Sequence, residues 1–437
     1  MSGIGHRAAS NVFAPFLRER IDQMPLTEIT GMTFGPYAVA RLDGKTVMTP
    51  NASPGDLVEI EIASDRREYA IGRIGRIVRA GADRRVAPCP YLPRCGGCDW
   101  QQIEYAAQVR LKSKLIAAEF DRALGVRLNP EGLVEPAPEE FGYRARIRLQ
   151  TRSGGRIGFH ELGGHSLVEI DRCLVAAPEL AIPATIRDLA RRCAEIEIAV
   201  GISGKVLVAH MAKAPRRDDI VNARKLVDSG EIAGIVVRGS GRREVIGDAR
   251  VAIEAESGCT IEAEADLFSQ VNRAQNRKLV AAVMDMVGVA PGRRVLDLFC
   301  GTGNFSLPAA RRGADVTGAD ADVATIEAAR RNAARMELNE ARFVAMSAAN
   351  AAAFFVRAGY RPELVILDPP RTGAAELMEP IGRMAPREVI YVSCDPPTLV
   401  RDLRILVGCG YRVDFVRAFD FFPNTHHVEV AVRSLLT

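Results

Sequence analysis

Apolar and polar positions follow three different patterns along this chain, and each predicts a different architecture. Over residues 22–81 the runs are short and alternate with a period of two. In "LVEIEI" (57–62) the apolar set is Val58, Ile60 and Ile62, as in a strand with one buried face. Asp43-Gly44 lies between strand-like flanks in "ARLDGKTVM", and "SPGD" (53–56) is a second turn. This region is expected to be a small all-β barrel. The stretch "DWQQIEYAAQVRLKSKLIAAEFDRAL" (99–124) predicts a helix. From about 141 to 265, strand-like pieces are divided by glycine turns such as Ser153-Gly154-Gly155 and Gly163-Gly164. From about 276 helix-like and strand-like segments alternate, among them "KLVAAVMDMVGV", "RRVLDLF", "ADVTGAD", "DVATIEAARRNAARM", "LVILDPP" and "EVIYVS". Such alternation predicts a doubly wound α/β domain.

The expected division is a leader at 1–21, a barrel at 22–81, a central mixed α+β domain at 82–265 and a Rossmann-like α/β domain at 266–437. The helix at 99–124 can pack on the last of these. A length of 437 residues fits such a multidomain chain. With 48% hydrophobic and 26% charged residues the composition is that of an ordinary globular protein. No apolar run is long enough to span a bilayer, and the first residues lack the apolar core of a signal peptide. The protein is therefore read as intracellular. Nine cysteines, an odd number without a secretory signal, argue against a disulfide framework.

Charge changes the picture through its distribution. The net charge of +4 does not announce a nucleic-acid binder, but 141–160 carries five arginines and no acid, and 71–85 five arginines and one acid. Both strips are candidate phosphate-binding surfaces, with a merely solvated face as the alternative.

Cysteine spacing adds chemistry. "CPYLPRCGGC" gathers Cys89, Cys95 and Cys98 around Gly96 and Gly97, and Cys173 lies far downstream in "IDRCLVA". Three clustered thiolates and a distant fourth can hold zinc or an iron–sulfur cluster. The two close pairs usual in zinc ribbons are absent, so a 4Fe–4S cluster is favoured over zinc and over unliganded thiols. The spacing C-x-x-x-C-x-x-C of radical enzymes is also absent. Cys193, Cys259 and Cys409 have no motif around them and read as small packed side chains; Cys300 lies in a glycine loop.

That loop, "VLDLFCGTGNF" (295–305), joins a strand to a helix start, and Asp320 ends the next strand. Asp297, the glycine loop and a carboxylate for ribose hydroxyls fit S-adenosylmethionine better than a dinucleotide, whose G-x-G-x-x-G is incomplete. Asp368, in "LVILDPPRTG", and Cys394, in "YVSCDPPTLVRDL", end two further strands. Pro396 and Pro397 mark a helix start after Cys394, a placement expected to lower its thiol pKa and make it a nucleophile. A thiolate adding to carbon 6 of a pyrimidine makes carbon 5 reactive toward a methyl donor, and a base must then remove the carbon 5 proton. Glu429 in the apolar run "VEVAV", His426 and His427 are the candidate bases.

Together these motifs resemble the RNA uracil-5 methyltransferase family, over about residues 20–437. The barrel resembles the TRAM RNA-binding module. "CPYLPRCGGCDWQ" with Cys173 resembles the iron–sulfur motif of the family's bacterial 23S ribosomal-RNA branch. "FSQVN", "DLFCGTGNFSLP", "LDPPRTG", "YVSCDPPTLVRDL" and "FPNTHHVE" resemble its cofactor and catalytic motifs, in order. The resemblance implies Cys394 as nucleophile and Glu429, rather than a histidine, as base. It implies that Gln270, Phe299, Asn304, Asp320 and Asp368 bind S-adenosylmethionine or order the site, and that Cys89, Cys95, Cys98 and Cys173 ligate a 4Fe–4S cluster. Family members often have Glu where this chain has Asp320, and Ser347 stands where Asn or Asp is usual. The implied partner is 23S ribosomal RNA, as a stem-loop with a flipped uridine, met by a cytoplasmic monomer. Tyr143 and Phe268 either stack on bases or belong to the core. Transfer-RNA members commonly lack the barrel and the cluster, which argues for ribosomal RNA. A noncatalytic RNA-binding or ribosome-assembly factor is the alternative of another class, against which Cys394 and Glu429 argue.

Overall fold

The structure, a computed structural model, describes residues 24–437 except Ala184 and Val289; the leader expected at 1–21 lies outside the described residues. It divides into two compact units, 24–87 with 99–104, and 88–98 with 105–437.

In the first unit β1 (Leu26–Met32), β2 (Tyr37–Leu42), β3 (Lys45–Pro50), β4 (Leu57–Asp65) and β5 (Tyr69–Arg79) close into a barrel, in the order β1-β2-β3-β5-β4. The alternation in β4 holds for Val58 and Ile60, both fully buried, while Ile62 is exposed next to a register shift. Asp43 and Gly44 take φ of +49° and +80°, the left-handed pair that a two-residue hairpin turn needs. The buried Asp56 accepts from the amides of Ser53 and Gly81 and pairs with Arg84 at 2.5 Å. Asp99–Glu104 belongs to this unit and is not helical. The Gln102 amide donates to the carbonyls of Ala52 and Asp99, 3.0 Å each, so the expected helix begins only after it.

The second unit starts its regular structure with that helix, α1 (Tyr105–Leu124), and the two-residue β6 (Val134–Glu135). Next come β7 (Arg146–Arg152), β8 (Arg156–His160), β9 (Leu167–Glu169), α2 (Ile186–Ala190), β10 (Cys193–Val200), β11 (Lys205–Met211), α3 (Arg217–Asp228), β12 (Gly234–Gly239) and β13 (Arg242–Gly247). The strands form one sheet, ordered β13-β12-β11-β10-β7-β8-β9. Its buried face places Ile147, Leu149, Ile198, Leu207 and Ile235 in one core with Ile186 and Leu189 of α2 and Leu226 of α3. These two helices had no sequence expectation. β14 (Arg250–Glu256) and β15 (Cys259–Glu264) make a separate hairpin.

The remaining elements are α4 (Arg273–Val287), β16 (Arg294–Leu298), α5 (Ser306–Arg311), β17 (Asp315–Asp320), α6 (Val323–Arg335), β18 (Ala341–Ala345), α7 (Ala348–Arg357), β19 (Leu364–Leu367), α8 (Ala375–Met384), β20 (Glu388–Ser393), α9 (Pro396–Gly408), β21 (Tyr411–Phe419) and β22 (Glu429–Leu436). Their sheet runs β18-β17-β16-β19-β20-β22-β21-β6. β16 to β20 are parallel; β22 is antiparallel to β20 and to β21. Parallel strands covered on both faces explain the near-continuous apolar runs: all of Leu364–Leu367 is buried. The order reverses between β16 and β19, where ligands bind open α/β sheets. Two earlier pieces join this layer. β6 extends the sheet beside β21, and α1 packs on α9.

Candidate active site

Three strand ends meet at the carboxyl edge of the parallel strands. Asp368 follows β19, Cys394 follows β20, and Glu429 opens β22. The antiparallel register pairs Ser393 with Val430, so the next pair outward would set Cys394 opposite Glu429. Cys394 is half-buried and precedes Asp395, the N-cap of α9, whose carboxylate accepts the Thr398 amide at 3.0 Å. Tyr391, earlier in β20, donates to the buried Asp402 of α9 at 2.6 Å, which fixes strand against helix.

The electrostatics differ from the expectation of a helix-lowered thiol. Burial, then the nearby Glu429 and Asp368 carboxyls, push the Cys394 thiol up to about 12, against a hydrogen bond and the positive charge of Arg371. The dipole of one helix end is weak beside desolvation and two acids. Glu429, itself buried, is raised well above the usual carboxylate range by burial and by Asp368, with Arg371 opposing. Burial alone carries Asp368 up to about 7.

Arg371 is the site residue that the sequence reading passed over. It stands directly after Asp368-Pro369-Pro370 and faces the thiol and Glu429. Its guanidinium lies 3.0 Å from Nε2 of His427, and its carbonyl accepts from Thr398 Oγ1 at 3.2 Å. The turn after it is held by Asp402, which accepts the Ala374 amide at 2.7 Å, and by Arg401, which donates to the Thr372 carbonyl at 2.9 Å. An arginine one residue past a strand-ending Asp-Pro-Pro was the available signal. His427 is pushed down to about 2 by burial and then by His426, Arg371, Lys112 and Arg144, so its neutral ring accepts from Arg371.

On the cofactor side, Phe299 leaves β16 with φ of +65°, a strained conformation for an aromatic residue. The Gly301 amide donates to Asp320 at 3.1 Å, and the Asp322 amide to its other oxygen at 3.0 Å. Asn304 and Asn276 exchange two amide hydrogen bonds of 2.9 Å. Gln270 is half-buried in the loop before α4. Asp297 is fully buried, receives Ser306 Oγ at 2.5 Å, and is pushed up to about 7 mainly by burial. Its other oxygen has no hydrogen-bond partner in the structure, an open acceptor beneath the glycine loop. Ser347 serves as the N-cap of α7.

The cysteine loop lies apart from this edge in the chain order and is stitched to β8 and its turn. The amides of Gly96 and Leu162 donate to the carbonyls of His160 and Arg94, 2.9 Å each. Cys95 and Cys98 are buried, Cys89 and Cys173 half-buried. Cys95 is close enough to feel both Cys173 and Cys89. Burial raises the Cys95 and Cys173 thiols, opposed by a hydrogen bond from the Gly97 amide at the first and from the Val175 and Ala176 amides at the second. No three His, Cys, Asp or Glu side chains among the described residues form a metal-ligand group.

The arginine strips divide. Arg146 is half-buried against Glu197, and Arg84 is taken up by Asp56, whereas Arg73, Arg76 and Arg148 are exposed, the last two paired with Glu59 and with Glu195 and Glu197. The Tyr143 hydroxyl donates to the Pro423 carbonyl at 3.1 Å, while Phe268 is 72% exposed.

Residues 255–436 match the family model described as tRNA (Uracil-5-)-methyltransferase, and 29–74 match the TRAM domain. Over 416 residues the chain is 32% identical to the 23S rRNA (uracil(1939)-C(5))-methyltransferase RlmD of Pectobacterium atrosepticum, covering 92% of each protein. The chain belongs to the RNA uracil-5 methyltransferase family. A protein of the same name from Thiobacillus denitrificans is 34% identical over 426 residues, 93% of this chain and 98% of that one. Among solved structures, the tRNA (uracil-54, C5)-methyltransferase of Pyrococcus abyssi, in complex with S-adenosyl-L-homocysteine, covers 94% of this chain and 100% of its own, with a TM-score of 0.74 and 23% identity. That likeness shows a shared fold. As a member of the RNA uracil-5 methyltransferase family, the chain is an S-adenosylmethionine-dependent enzyme whose barrel is a TRAM domain.

Proposed function

We propose that this enzyme methylates carbon 5 of one uridine in 23S ribosomal RNA through a covalent Cys394–uracil adduct. The observation that carries the reading is one strand edge shared by a thiol, an arginine and two carboxyls with raised pKa values, Glu429 buried and Asp368 half-buried. The Cys394 sulfur adds to carbon 6 of a flipped uracil, and the electron pair moves through carbon 5 onto the carbon 4 oxygen. Carbon 5 takes the methyl group from the sulfonium of S-adenosylmethionine, leaving S-adenosylhomocysteine. Glu429 removes the proton from carbon 5, and re-formation of the 5,6 double bond expels the Cys394 thiolate. Arg371 offsets the two acids while the thiolate forms. His427 is a poorer base, because its ring accepts from Arg371 and resists protonation.

Asp320 would bind the ribose hydroxyls, and Gln270, Phe299, Asn304 and Asp368 would complete the cofactor crevice. Cys89, Cys95, Cys98 and Cys173 would hold a 4Fe–4S cluster, as the amide donors to the Cys95 and Cys173 sulfurs suit thiolate ligands. The transfer needs no electron, so such a cluster would tie the 89–98 loop to the turn at Cys173 and shape the RNA surface. Anoxic protein should contain iron; zinc without iron would overturn this assignment.

The relatives' names favour ribosomal RNA over transfer RNA. The barrel itself does not discriminate, because a structure named as a tRNA enzyme aligns with 94% of this chain. The exposed arginines of β5 and β7 and Phe268 would meet the RNA, with affinity that falls as salt rises. No helix among the described residues is long and apolar enough to cross a membrane. The test is transfer of labelled methyl groups to unmodified transcripts of both RNAs by wild type and Cys394→Ala. Label at carbon 5 of a ribosomal uridine, lost in the variant, is expected. Label on transfer RNA alone would change the substrate, and an undiminished variant would remove the covalent step.

A further inference from the structure

The loop between β21 and β22, residues 420–428, delivers Glu429 to the strand edge, and side chains from outside it hold it at every turn. The Asp420 carbonyl accepts from Gln275 at 3.1 Å, that of Phe421 from Asn272 at 3.1 Å, and that of Pro423 from Tyr143. Two buried residues of α1, more than 300 positions earlier in the chain, hold it as well. Lys112, 1% exposed, places its ammonium 2.7 Å from the fully buried Asp420 carboxylate and 3.3 Å from the Phe422 carbonyl. Gln108, also buried, accepts the Asn424 amide at 2.8 Å and donates to the Asn424 side chain at 3.2 Å. Asn424 needs that hold: its φ is +69°.

A buried ion pair is a poor way to add stability, since an apolar pair of similar volume often does as well. It is a good way to choose one shape, because a shifted loop would strand a charge away from water. The loop it shapes also carries His427, which meets Arg371 beside the thiol. We propose that Lys112 and Gln108 are positioning residues for the proton-removal step, acting through the 420–428 loop on Glu429. The proposal rests on the reading of Cys394 as nucleophile and Glu429 as base.

That step comes after methyl transfer, which gives the proposal a distinctive readout. A misplaced base leaves the methylated Cys394–uracil adduct intact, and it survives denaturing electrophoresis. Lys112→Met and Gln108→Leu should lower kcat by about tenfold or more, with KM for RNA and for S-adenosylmethionine within about twofold, since small misplacements of reacting groups are costly. Labelled adduct should accumulate in both variants, while the single-turnover rate of methyl transfer stays near wild type. The double variant Lys112→Met/Asp420→Leu should recover the melting temperature lost by Lys112→Met yet keep its low kcat and its adduct. Recovery of kcat together with melting temperature would make the pair a simple buttress and overturn the proposal. So would variants in which adduct formation and turnover fall equally, or in which neither falls. Glu429→Gln is the control: if it fails to accumulate methylated adduct, the assignment of the base has failed, and this proposal fails with it.

Discussion

Two buried glutamates in this protein share nearly the same local sequence. Glu197 lies in "IEIAV" (196–200) of β10, and Glu429 in "VEVAV" (428–432) of β22. They are 4% and 6% exposed. Burial pushes both upward, yet they end on opposite sides of the ordinary carboxylate range. Glu197 receives His210 Nε2 at 2.7 Å and Arg148 at 2.6 Å and has Arg146 nearby, and the His210 hydrogen bond with the two arginines more than offsets burial and lowers its pKa. Glu429 meets Asp368 and the Cys394 thiol, with Arg371 alone in opposition, and its pKa is raised. The first is a charge the fold has satisfied, as structural acids are. The second is a charge the fold has left in deficit, and such deficits gather where chemistry is done.

The sharpest way to break this comparison is to neutralise each acid. Glu429→Gln should lower turnover by about a thousandfold, in the range lost with a general base, and leave the fold intact. Glu197→Gln should do the reverse. Turnover per folded molecule should stay within about threefold, while stability falls by about 1–3 kcal/mol because the half-buried Arg146 loses its counter-charge. Denaturant melts and single-turnover assays on both variants would decide. A Glu197 variant that is stable but inactive would mean that the central sheet, too, holds catalytic groups.

A second test removes the cation that works against the deficit. Arg371→Met should slow formation of the Cys394 adduct by about a hundredfold, since the thiol would face Glu429 and Asp368 without a hydrogen-bonding partner of opposite charge. Alkylation of Cys394 by iodoacetamide in the free enzyme should slow in parallel. Unchanged alkylation would show that Arg371 acts on the RNA instead.

The comparison also measures what the sequence could disclose. The alternating helices and strands of 276–437 follow from local periodicity, and so do the positions of Asp368 and Cys394 at strand ends. The pairing of Ser393 with Val430, which brings Cys394 toward Glu429, is a matter of register between strands far apart in the chain. No local pattern encodes it, and the same holds for the cations around Glu197. The pairing of Arg146 and Arg148 with Glu197 is likewise invisible in the strip at 141–160, because that partner is 49 or more residues away. The non-helical start of 99–124 was hidden for a related reason: Gln102 answers to Ala52, fifty residues earlier. The thiol pKa was misjudged because helix position is visible in sequence and desolvation is not.

The smallest expected effect, and the most diagnostic, is the response to pH. Cys394 must lose a proton to attack and Glu429 must be ionised to accept one, and both pKa values are raised. Activity should therefore climb with pH through neutrality, by up to about tenfold per unit where one proton limits. Stability should move the other way. An acid whose folded pKa lies above its unfolded value stabilises fully below the unfolded value and loses that contribution as pH rises through the folded one. For Asp368 and Asp297 that window runs from the ordinary 3.8 to about 7. Glu197, with a lowered pKa, contributes above the ordinary 4.5, and its contribution is lost only as pH falls further. Melting temperature should thus decline between pH 5 and 8 while activity rises, and Glu429→Gln should decline less steeply than wild type. Equal slopes would mean that Glu429 titrates alike in the folded and unfolded chains, so that the deficit at the strand edge belongs to Asp368 and Cys394 alone.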